Sequence, residues 1–112
     1  GDVIAASTTT SSDIRLKKNI NDIPYGLGEV LQLRGVEFDW KEKRDGKHDI
    51  GVIAQEIEKI IPEVVQESKD LNSDTMYKSV DYGKLTAVLV EAVKEQQVQI
   101  EELKKDIKEL KK

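Results

Sequence analysis

Cysteine is absent from this 112-residue chain, which removes disulfides, thiol nucleophiles and cysteine–zinc sites together. The single histidine, His48, lies in a polar stretch, where a solvated side chain is the plain reading, so no metal site and no cofactor are expected. Aromatic residues number only five, Tyr25, Phe38, Trp40, Tyr77 and Tyr82. A chain this short with so few large apolar groups builds a marginal core alone, and self-association is the cheaper way to bury more surface. An excess of positive charge is missing too: the net charge is −4 with both signs interspersed. The basic footprint needed for counterion release is therefore absent, and no nucleic-acid partner is expected. No apolar run is long enough to cross a bilayer and no signal-peptide pattern opens the chain, so no membrane partner is expected.

What is present divides into three parts. Residues 1–11 are small, β-branched and without a core pattern, and read as a linker or the end of an upstream stalk in a longer polypeptide. Residues 12–83 carry short mixed signals. Asn21-Asp22-Ile23-Pro24 resembles a helix start, and Tyr25, Leu27, Val30, Leu31 and Leu33 follow at helical spacing until Gly35. Residues 36–41 alternate apolar with charged, as a half-buried strand does, and Asp45-Gly46 then marks a hairpin tip. Residues 50–54 are compactly apolar, and residues 55–61 form a short amphipathic helix stopped by Pro62. Val64-Val65 could resume a strand, and the polar residues 66–79 read as a surface loop or second protruding hairpin.

From residue 84 to 112 the pattern changes in kind. Leu89, Val93, Gln96, Ile100, Leu103, Ile107 and Leu110 fall in alternating steps of four and three. With Ile100 and Ile107 at position a, Leu103 and Leu110 take d. Asp106 at g and Lys111 at the next e are then oppositely charged, as an inter-chain pair requires. A stripe so narrow on an otherwise charged helix calls for another helix like itself. The pattern predicts a homo-oligomeric coiled coil and leaves dimer and trimer both open, with Gln96 at d and Thr86 at a as polar seam residues.

Three motifs in order then carry a resemblance. They are Ser12-Asp13-Ile14-Arg15-Leu16-Lys17, then Gly51-Val52-Ile53-Ala54-Gln55-Glu56 with Pro62-Glu63-Val64-Val65, then Val80-Asp81-Tyr82-Gly83-Lys84-Leu85. Together, with Phe38-Asp39-Trp40 where an aromatic strand belongs, they resemble the C-terminal intramolecular chaperone and auto-processing domain of phage tailspikes and tail fibres. Endosialidase tailspikes and neck-appendage proteins are familiar members, and myelin regulatory factor has a related domain. The resemblance spans residues 12–112. It implies an α+β fold with a small mixed core, protruding polar loops and a C-terminal helix in a parallel homotrimeric coiled coil. It also implies a partner, the upstream stalk of the same polypeptide, which three aligned chains help to wind in register. Carried over by position, Ser12 is the nucleophile, Lys17 its base, and the cut falls between Ser11 and Ser12. Such a fibre precursor would be assembled in the host cytoplasm and built into the virion tail, with this domain released.

The residues themselves support only part of this. A serine hydroxyl needs a base, and lysine is the one at hand, provided that burial or a neighbouring cation keeps its amine neutral. Residues five apart, however, face opposite sides of a strand and are out of register on a helix, so Ser12 and Lys17 can meet only through a bend or across chains. The plainer reading makes Ser12 or Asp13 a turn cap beside solvated cations. Two other functions compete: a non-cleaving trimeric fibre tip that touches a receptor through residues 41–49 and 66–79, and a cytoplasmic coiled-coil adaptor. Gly26-Leu27-Gly28 lacks the lysine and hydroxyl residue that complete a phosphate-cradling loop.

Overall fold

The computed structural model describes residues 9–112, and the stalk or linker expected over residues 1–11 lies mostly outside this range. The described chain forms two antiparallel hairpins, two short helices and one long helix. Strands β1 (Val36–Asp39) and β2 (His48–Gly51) pair with Asp39 opposite His48. The connecting residues 40–47 close through Trp40 N–H to Lys47 O at 2.9 Å. Gly46 supplies the left-handed φ of +70° this tip requires, a conformation other residues adopt only at a cost. Strands β3 (Val65–Lys69) and β4 (Met76–Val80) form the second hairpin, with Lys69 opposite Met76. The polar excursion of residues 66–79 is therefore a hairpin, and its strands are mostly exposed.

Between the hairpins runs α2 (Ala54–Glu58), followed by a 3-10 turn at Pro62–Val64 that feeds β3. The helix stops at Glu58, short of the expected end at Ile61, with Lys59 as its C-cap, and Pro62 instead opens the 3-10 turn, where its missing N–H costs nothing. The first helix is much shorter than its apolar spacing predicts. Only Leu27–Val30 is helical, as α1. The surrounding chain is held by tertiary bonds: Tyr25 Oη donates to Glu63 Oε1 at 2.7 Å, and Leu27 N–H donates to Glu95 Oε2 at 3.2 Å. Gly26 is buried beside Glu95, and a Cβ there would run into that carboxylate.

The long helix α3 covers Tyr82–Leu110. Asp81 caps it, its carboxylate accepting from Lys84 N–H at 3.1 Å, while Asp81 N–H donates to Val64 O at 2.7 Å and so joins the helix start to the core. Leu85, Val88 and Ala92 are buried, and Leu85 and Val88 close over Ile57, Ile61 and Val64. Arg34 with Glu56 (2.7 Å) and Lys78 with Glu58 (2.6 Å) tie the rim of this core.

Beyond Ala92 the helix leaves its own core. At 1.5 Å per residue, 29 helical residues reach about 43 Å, which accounts for a radius of gyration of 19.2 Å against roughly 13 Å for a compact chain of similar length. The predicted seam occupies a different stripe of α3 from the core residues. Ile100, Leu103 and Ile107 are 41%, 60% and 52% exposed, and Leu89, Val93 and Leu110 are exposed as well. The helix thus carries two apolar stripes. One is spent within the chain and the other is uncovered.

Candidate active site

Residues 9–24 form an exposed arm ahead of the core. Within it, Ile14–Leu16 make one turn of 3-10 helix. Leu16 N–H donates to Asp13 O at 3.0 Å and Lys17 N–H to Ile14 O at 3.1 Å, which closes the turn. Asp13 is its cap, Oδ1 accepting from Arg15 N–H at 2.8 Å. The Arg15 side chain folds back on the same carboxylate, with Nε donating to Oδ1 at 3.1 Å and Nη2 to Oδ2 at 2.9 Å. These charge-assisted bonds hold the Asp13 carboxyl below its ordinary range: the guanidinium contributes most, then the Arg15 backbone N–H.

This turn is the bend that the spacing of Ser12 and Lys17 demands. Lys17 Nζ donates to Ser12 Oγ at 2.7 Å. Sequence alone supplied the two residues but gave no reason for them to meet; the tight turn supplies it within a single chain. In this geometry the lysine is the donor. Once neutral, the same nitrogen at the same distance can accept the hydroxyl proton, as activating a serine requires. Further along the arm, Asn19 adopts a left-handed φ of 54°, and Asn21 Nδ2 donates to Asn19 O at 2.9 Å. Asp13 is the turn cap that the plainer reading of the sequence named, whereas the fold-back of the Arg15 side chain onto its carboxylate was not foreseen. Its signal was the pair of opposite charges two residues apart, directly after the serine.

A second candidate region joins the two hairpins. Lys43 Nζ lies 5.7 Å from the Tyr77 ring centroid, and the Arg44 guanidinium lies 5.8 Å from Trp40 and 5.9 Å from Tyr77. Phe38 meets Trp40 edge-on at 5.0 Å. Behind these residues opens a cleft of about 910 Å³ that also includes Ile50, Val52 and Tyr82 in its walls. The tip of the first hairpin and strand β4 of the second thus converge around one aromatic, basic cleft, a proximity that separate segments in the sequence do not reveal. On the other side of the first hairpin, His48 Nδ1 lies 2.7 Å from Asp39 Oδ1 and Nε2 lies 3.1 Å from Glu37 Oε1. The Asp39 hydrogen bond leads the effects that raise the His48 pKa, against a smaller desolvation effect. A histidine with a raised folded pKa stabilises the fold below its unfolded value, about 6.5, and that contribution is lost as pH rises through the folded value. The His48 ring resonances are expected to titrate with a midpoint above 6.5, and Asp39→Asn is expected to lower it. A midpoint unmoved by the substitution contradicts the pairing. Among the described residues no cluster of three or more histidine and acidic side chains could hold a metal ion, and no helix is long and apolar enough to cross a membrane.

With this geometry established, comparison with known proteins identifies the class. Residues 12–66 match the family described as the chaperone of endosialidase, whose name places it among the peptidases. Over that span the chain belongs to this family, and the match begins at Ser12 itself. The chain is similar to the long tail fiber protein Gp37 of Salmonella phage S16, with 32% identity across 99% of this chain and 15% of that protein. It is also similar to the proteins of that name from Enterobacteria phages M1 and Ox2, each 33% identical across 83% of this chain and 38% of theirs. The chain therefore spans well under half the length of these relatives.

Proposed function

We propose that this chain is the intramolecular chaperone of a phage tail fibre: it trimerises through α3, nucleates folding of an upstream stalk, and then frees itself by cutting between Ser11 and Ser12. The 2.7 Å contact between Lys17 Nζ and Ser12 Oγ is the observation that carries the cleavage step. In that step the neutral Lys17 amine takes the Ser12 hydroxyl proton as Oγ bonds to the Ser11 carbonyl carbon. The Ser11–Ser12 C–N bond then breaks, and Lys17 returns the proton to the departing amine. An ester remains, which water hydrolyses to the Ser11 carboxylate and a restored Ser12 hydroxyl. Lys17 is exposed in the single chain. Packing three arms together would take it out of water and favour the neutral amine, so cleavage would wait on assembly.

The exposed seam supports the assembly step. Contacts within a coiled coil are local along each chain and form early, whereas pairing in a fibre stalk is slow and non-local. Once the chaperone has gone, the stalk cannot unfold by the route that built it, and its persistence becomes a matter of rate. The role is tested by expressing a trimeric stalk with and without this domain behind it. Folded stalk trimers are expected only when the domain is present during synthesis, and equal yields without it refute the chaperone role.

The aromatic, basic cleft favours a second reading, a fibre tip that stays attached and binds a receptor. That reading requires intact, uncut domain in mature fibres and loss of host attachment on Trp40→Ala.

A further inference from the structure

The geometry points to Asp13 and Arg15 as positioning residues for the Ser12–Lys17 pair, a role that rests on the dyad reading above. Neither would touch the scissile bond. Their part is to build the turn that brings the amine to the hydroxyl, and to keep a carboxylate away from that amine.

Two features carry this. The 3-10 turn is short, exposed and outside the core, so nothing beneath it dictates its shape. The described hydrogen bonds of Ser12, Asp13, Arg15 and Lys17 all run within the arm. Three of them converge on the Asp13 carboxylate, all from Arg15, and together they fasten cap to turn. The second feature is electrostatic. Asp13 immediately follows the nucleophile, and both its oxygens are taken by Arg15. Among the charged residues of this arm, Asp13, Arg15 and Lys18 lie nearer to Lys17 in sequence than Asp22 does. Without Arg15, the carboxylate would have a lysine amine as its nearest counter-ion, and such a pair would hold the amine protonated, the form that cannot act as a base. Arg15 thus shapes the site and shields it.

The test uses the full chain behind a folded N-terminal reporter, with cleavage followed across pH. Ser12→Ala and Lys17→Ala serve as parallel arms that examine the dyad alone. Arg15→Ala is expected to slow cleavage about tenfold at neutral pH and to move the pH of half-maximal cleavage up by about one unit. Arg15→Lys is expected to recover part of the rate. Asp13→Asn keeps a cap oxygen for the Arg15 N–H, so it should slow cleavage less than Arg15→Ala and leave the pH midpoint in place. Asp13→Asn combined with Arg15→Ala should restore the midpoint while the rate stays low, because the competing charge has gone but the clamp has not returned. Far-UV circular dichroism should be unchanged throughout, since the arm lies off the core. A native rate and profile for Arg15→Ala overturns the clamp while leaving the dyad intact. An upward shift that persists in the double variant overturns the shielding role. Cleavage that survives Ser12→Ala or Lys17→Ala, or an unaltered fusion that stays whole, overturns the dyad and the clamp together.

Discussion

On the trimeric assembly proposed above, Ile100→Asp combined with Ile107→Asp is expected to leave the chain monomeric, with most helical signal from residues 96–110 lost. Both isoleucines lie on the uncovered stripe of α3, half exposed in the single chain. At a positions of a parallel trimer each aspartate would bring three carboxylates together on the axis, where burial and mutual repulsion oppose their charge. The loss of helix follows from where the core stops. Leu85, Val88 and Ala92 anchor the first part of α3, and beyond Glu95 no buried residue holds it. A free segment of about 15 residues is marginally helical in water, so this half depends on its neighbours. Sedimentation equilibrium and far-UV circular dichroism read both effects. The core should survive, because its own stripe is untouched, and a variant that remains trimeric and fully helical contradicts the seam.

The second large effect is chemical. Ser12→Ala removes the only oxygen beside Lys17 Nζ in the described hydrogen bonds and is expected to abolish cleavage of a reporter fusion. Lys17→Ala leaves the hydroxyl but not its base, and a loss of 100-fold or more is expected, in line with general-base contributions of 10² to 10⁴. Lys17→Arg keeps the charge but supplies a group that stays protonated, so it should be as inactive as alanine. That last variant separates a base from a mere cation: activity retained with arginine would make Lys17 an electrostatic or structural residue. Peptide-level mass analysis of the products distinguishes the outcomes.

How much of this was legible in the sequence depends on the element. The final helix was plain, because the spacing from Leu89 to Leu110 persists over several turns and nothing competes with it. The sequence did not show that α3 carries a second apolar stripe facing its own core, since the core residues Leu85, Val88 and Ala92 form a stripe of only three. The second hairpin was obscure for the opposite reason. Strands β3 and β4 are exposed over most of their length, so their pairing rests on backbone bonds and leaves no alternating apolar pattern. Residues 24–34 misled through propensity: their apolar spacing is helical, but Gly26 and Gly28 weaken a helix there, and the contacts with Glu63 and Glu95 fix the chain instead. The site was half legible. Ser12 and Lys17 could be named from the motif, but their spacing fits neither helix nor strand. The missing piece was a 3-10 turn made by Asp13 and Arg15, whose side chains bond to each other while the Asp13 carboxylate also accepts from the Arg15 backbone N–H.

The most direct measurement is the intact mass of the unaltered chain produced behind a folded reporter and allowed to assemble. Two products are predicted, one ending at Ser11 and one beginning at Ser12, and they should form at a rate that rises with trimer concentration. A single species of full mass, still whole after trimers have formed, would contradict self-release by the Ser12–Lys17 pair.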